Sequence, residues 1–143
     1  MAVHKITWNV YEVLEKVAAE RKKAEKISIL KKHDSTALRT ILQGCYHPAI
    51  KLPLPEGTPP YEASEGHNAP STLLKRWEDF KYFSPKSVQK LGQIKVERMF
   101  IQLLEAIHPE DAKIVLQMKD KKPFKGVSAA IVREAFPNLI PPE

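Results

Sequence analysis

The groups in this sequence best placed to do chemistry are ammonium groups. The run KDKKPFKGVS sets Lys119, Lys121, Lys122 and Lys125 around a single aspartate, Asp120, and turns at Gly126. A short helical pattern then runs to Pro137. A cationic loop feeding a helix N-terminus offers one anion three things: mobile ammonium groups, free backbone N–H groups and the positive end of a helix dipole. Phosphate is the guest that suits such a site, with the amides of Gly126, Val127 and Ser128 expected to hold it. A solvated basic turn has the same composition.

Other chemistries find no support. A phosphate-binding GxxxxGK[ST] loop, HExxH, GxSxG and a dinucleotide fingerprint are all missing. Cys45 is the only cysteine, which excludes an internal disulfide and a Cys-based zinc site. His47 and His67 have no third ligand at a fixed helical offset. Glu110 and Asp111 are adjacent and so diverge on a helix, which spoils them as an acid/base pair. The expectation is a protein that is not an enzyme, with no catalytic residue, metal or cofactor.

The elements that must position the lysines read as helices. Val10, Leu14, Val17 and Ala18 recur at helical spacing behind Thr7 as N-cap, predicting a helix over about 7–19. A second, over about 22–32, carries Ala24, Ile27 and Leu30 on one side. Its other side is cationic, with Arg21, Lys22, Lys23, Lys26, Lys31 and Lys32 against only Glu20 and Glu25. Asp34 or Ser35 caps a third helix, whose Leu38, Ile41, Leu42 and Cys45 face the core. Residues 46–70 hold six of the twelve prolines, so an extended segment laid across the helices is expected there. Asn68 or Ser71 opens the helix STLLKRWEDFKYF. Ser84-Pro85 opens another, predicted to continue past Gly92 into VERMFIQLLEAI as the central helix. Pro109 starts the next, and Gly126 or Ser128 the last. The fold class is all-α: one domain, 1–143, of about seven helices.

Length and composition agree with a folded protein, at 143 residues, 43% hydrophobic and 28% charged. A net charge of +6 favours an acidic partner, nucleic acid ahead of an anionic membrane surface. No apolar run reaches signal-peptide or membrane-spanning length, so no membrane association and a cytoplasmic location are expected.

The close of the chain, GVSAAIVREAFPNLIPPE, resembles the end of the helical N-terminal DNA-binding domain of phage-type ATP-dependent DNA ligases. Gly126, Phe136, Pro137, Leu139, Ile140 and Pro141 occupy matching places, while Asn138 replaces a family glycine and the loop before Gly126 is two residues longer. KISILKKHDSTALRTIL is similar in pattern to that domain's second and third helices, and the likeness does not extend to 46–95. LKKHDSTALRTILQG and FIQLLEAIHPEDAK also resemble segments of small proteins of tailed phages of the large myovirus type, a group with no assigned activity. The ligase resemblance implies a domain that grips duplex DNA by its backbone and leaves chemistry to a separate adenylation domain. The Lys-x-Asp-Gly motif of that second domain is missing, since neither Asp79 nor Asp120 precedes a glycine.

The expected function is therefore non-catalytic, largely sequence-nonspecific binding of double-stranded DNA in phage replication, recombination or repair, in the host cytoplasm. Lys31, Lys32, Arg39, Lys119, Lys121, Lys122 and Lys125 would contact phosphates, with Gly126, Val127 and Ser128 at the helix start. The alternative is an adaptor or inhibitor that binds a phage or host protein of replication, transcription or defence, or a virion-associated protein.

Overall fold

In the computed structural model, which describes residues 8–65 and 68–141, capped amphipathic segments become helices packed on one core. Helix α1 spans Val10–Ala19 and buries Val10, Val13, Leu14 and Val17. The expected cap, Thr7, lies outside the described residues. Asn9 precedes the helix instead, and its N–H donates to the Glu12 carboxylate at 3.0 Å. Helix α2 is Lys23–Lys32 and buries Leu30. Ser35 accepts from Leu38 N at 3.1 Å and so starts α3, Thr36–Tyr46.

The next two predicted helices are each broken. STLLKRWEDFKYF forms one α-helical turn, α4 at Leu73–Arg76, followed by a 3₁₀ segment over Trp77–Tyr82. Three residues per turn put Arg76 directly beneath Asp79, and the two form an ion pair at 2.7 Å. The central helix does not run through Gly92. Gly92 has φ 89° and ψ 151°, which ends α5 (Pro85–Leu91) and serves as N-cap of α6 (Gln93–Ala106). Helix α7 is Pro109–Lys119, and α8 is Ala129–Ala135 with the Ser128 hydroxyl accepting from Ile131 N. Eight α-helices are thus present among the described residues, and no strand. The all-α prediction holds, with one helix more because Gly92 divides the longest pattern.

Helix α3 lies against α7, α7 against α6 and α1, and α2 against both α1 and α8. Close approach of α3 and α7 requires Gly44, where a Cβ would stand 2.5 Å from Met118 Sδ. Val17, Leu38, Leu42, Leu103, Leu104 and Val115 are inaccessible to water and form the centre.

The proline-rich segment crosses α6 and α7 as a strap, as its alternating Leu52 and Leu54 suggested. Pro53 O accepts from Gln93 Nε2 at 2.9 Å, and Glu62 N donates to the Glu105 carboxylate at 2.8 Å. The Ser64 hydroxyl donates to Ile107 O at 2.6 Å. Every one of these bonds uses a backbone group of the strap or its Ser64 side chain, which is how a segment without secondary structure satisfies its own polar atoms.

Candidate nucleic-acid interface

Lys119 is the last residue of α7, and its position there points the side chain inward under the strap. The side chain is 2% exposed. Its ammonium donates to Pro55 O at 2.7 Å and to Asp120 Oδ1 at 2.6 Å. Asp120 in turn accepts from Gly57 N at 3.2 Å, so the adjacent cation and anion together clamp the strap's turn.

Lys121 is held still more fully. Its backbone takes a left-handed φ of 54°, and its three ammonium donors find Gly44 O at 2.9 Å, His47 O at 2.7 Å and Ile50 O at 2.6 Å. Gly44 O is among the last carbonyls of α3, which lack helical partners and carry the negative end of the dipole. Burial pushes the Lys121 ammonium below its ordinary pKa, with neighbouring Cys45 acting in the opposite direction.

These contacts correct two expectations: Lys119 and Lys121 do not offer ammonium groups to an external phosphate, because each is consumed by the chain's own carbonyl and carboxylate oxygens. Of the amide cradle, the Val127 N–H is occupied and the neighbouring polar atoms are engaged in packing. Val127 is buried, its N–H donates to Phe124 O at 3.0 Å, and its carbonyl accepts from the Tyr46 hydroxyl at 2.6 Å. Gly126 O accepts from Lys26 Nζ at 2.8 Å, and Ser128 spends its hydroxyl on capping a helix of two turns. Gly126 has φ 75°, and a Cβ there would lie 3.0 Å from Ala18 Cα, so the glycine is fixed by backbone shape and by close packing on α1. Arg39 holds Asp34 with two bonds of 2.7 Å and lies 4.9 Å over the Phe136 ring, which ties it to α8.

Lys31, Lys32, Lys122 and Lys125 are different. All four are exposed, and among the described residues none of their ammonium groups has a hydrogen bond or ion pair. They belong to the two cationic segments, and the Lys26–Gly126 bond joins those segments in space. Sequence reasoning missed the residues that do the joining. Lys26 reads as one more surface cation, and nothing local marks Tyr46, whose hydroxyl bridges Phe124 N and Val127 O and which burial pushes up to about 12. Asp120, the one anion in a run of lysines, was the available signal that those lysines have an internal partner.

Other candidate groups are accounted for by packing. The Cys45 thiol is buried, donates to Lys122 O at 3.3 Å and is pushed up to about 11, which makes it a poor nucleophile. His47 Nδ1 accepts from Ala49 N, and His67 lies outside the described residues. No group of three His, Cys, Asp or Glu able to hold a metal occurs among the described residues. Glu110 faces Lys113 while Asp111 turns fully inward, so the pair does diverge. Asp111 Oδ1 accepts from Tyr11 N at 2.9 Å, whereas Oδ2 has no partner among the described residues, and burial pushes the carboxyl up to about 6. No helix among the described residues is long and apolar enough to cross a membrane.

The model of a family of unknown function, DUF6433, matches residues 13–124. The chain belongs to that family. The matched span begins within α1, takes in α2 to α7, the strap and the Lys119 and Lys121 clamps, and stops before Gly126 and α8. No curated protein matches the sequence. The closing segment from Gly126 onward therefore lies outside the matched span. Within that segment, Asn138 has φ 75°, a left-handed conformation that asparagine tolerates better than most residues.

Proposed function

We propose that the protein is a non-catalytic binder of duplex DNA that grips the phosphate backbone with little sequence preference and serves phage DNA replication, recombination or repair in the host cytoplasm. One observation carries the reading: after every internally engaged cation is set aside, Lys31, Lys32, Lys122 and Lys125 remain exposed on two segments that the Lys26–Gly126 bond brings together. Four ammonium groups on neighbouring segments suit phosphates along a strand, since a point-charge ammonium favours backbone phosphate over base-edge readout.

The footprint predicts the salt dependence. Four phosphate contacts give a slope of log K against log salt of about −3.6, so affinity falls roughly 150-fold between about 50 and 200 mM salt. The test is a titration of a labelled duplex of mixed sequence at several salt concentrations. K31E/K32E and K122E/K125E should each flatten the slope by about 1.8. A wild-type slope near zero, or no binding at low salt, overturns the proposal.

A further inference from the structure

Where the proline-rich strap crosses α6 it leaves a crevice of about 250 Å³. Phe100 and Ile101 of α6 line one side, and Leu54, Pro59 and Pro60 of the strap the other. Both sides are held in place. Phe100 is buried and meets the Phe83 ring edge-on at 5.3 Å. The strap is fastened before and after the crevice, through Pro53 O to Gln93, Gly57 N to Asp120 and Glu62 N to Glu105. The opening therefore stands ready-formed, as small-molecule sites do. A dry apolar cavity of about 150 Å³ already accepts a benzene ring, so a hydrocarbon chain of about six carbons fits.

The polar groups around this opening are unbalanced in one direction. Pro55, Pro59 and Pro60 have no N–H to offer. Leu54 N is spent on Leu52 O and Gly57 N on Asp120. Lys119, the only cation in the lining, is spent on Pro55 O and Asp120. Glu56 and Glu97 remain, and among the described residues neither carboxylate has a hydrogen bond or ion pair. Glu97 stands one turn before Ile101, so its carboxylate and the apolar wall share a side of α6. In a chain of net charge +6 this spot is acidic and poor in donors. A carboxylate or phosphate meets like charge there, whereas an ammonium meets two free acceptors beside an apolar wall.

We propose that the crevice beneath the strap binds a small alkylammonium ligand, its hydrocarbon lying on Phe100 and Ile101 and its ammonium donating to Glu97 and Glu56. The site is separate from the lysines assigned to DNA and stands whether or not they bind it. Apolar walls supply affinity, and the two unpaired carboxylates choose the head group.

Hexylamine, hexan-1-ol and hexanoate share one hydrocarbon chain and differ only at the head, so they separate the two contributions. Each is titrated at neutral pH into the full chain, free of nucleic acid, and the Ile101 methyl signal is followed by NMR. Hexylamine should bind at least about tenfold more tightly than hexan-1-ol, and hexanoate at least about tenfold more weakly than the alcohol. E56Q/E97Q keeps the shape and removes the charge, so it should bring the amine to within about threefold of the alcohol and leave the alcohol's own affinity unchanged. I101W, checked for a native melting transition, should lose all three ligands because the indole fills the crevice. An alcohol that binds as tightly as the amine, an amine preference that survives in E56Q/E97Q, or undiminished binding to folded I101W overturns the proposal.

Discussion

Replacing Lys121 by methionine separates a structural lysine from a phosphate-binding one. Methionine keeps the length and the apolar stem but removes the ammonium that joins Gly44 O, His47 O and Ile50 O at 2.6–2.9 Å. An orphaned buried acceptor costs about 1–3 kcal/mol. Gly44 is buried whereas His47 and Ile50 are half-buried, so water takes over part of the loss at the last two. The sum is about 2–4 kcal/mol, a large share of the roughly 5–15 kcal/mol that holds a domain together. At about 3 °C per kcal/mol for a chain of this size, the thermal midpoint should fall by roughly 6–12 °C. Amide exchange should quicken in the strap around Ile50. The paired measurement is the salt slope of DNA binding, which K121M should leave unchanged at a temperature where it is folded. The neighbouring K122M should leave the melting point alone and reduce the slope by about 0.9. A K121M protein that melts within about 1 °C of wild type and loses a unit of salt slope would refute the reasoning, since Lys121 would then be facing phosphate.

Two further perturbations test the packing around this site. Asp111 has its pKa raised to about 6 by burial, above the unfolded value of 3.8, so its contribution to stability is complete below the unfolded pKa and is lost as pH rises through about 6. The shift corresponds to about 3 kcal/mol, and urea midpoints measured from pH 4 to 7 should show a decline that D111N removes. Gly92 and Gly126 both have positive φ, but only at Gly126 does a Cβ meet backbone, at 3.0 Å. G92A should therefore cost about 1 kcal/mol in chemical denaturation and G126A at least about 2; equal costs would show that Ala18 yields without penalty.

Local regularities were legible because they are set by neighbours a few residues away. The periodicity of Leu38, Ile41 and Leu42, the Ser35 and Ser128 caps, and the proline density of the strap depend on backbone sterics and on hydrogen bonds three or four residues apart. The break at Gly92 is masked in the sequence by the strong apolar pattern of Val96, Phe100, Leu103 and Leu104 that follows it, although glycine is the residue that admits φ 89°.

The fate of the lysines was decided elsewhere. Ammonium groups look alike in a sequence, and what distinguishes Lys121 from Lys122 is a set of carbonyls 71 to 77 residues away that only the packed chain delivers. Basic composition, the helices and their caps were thus determined by the sequence alone, because charge count and helical period are local properties. Which cations face solvent and which fasten the strap was determined by tertiary structure, because a buried ammonium must find oxygen acceptors wherever the fold places them.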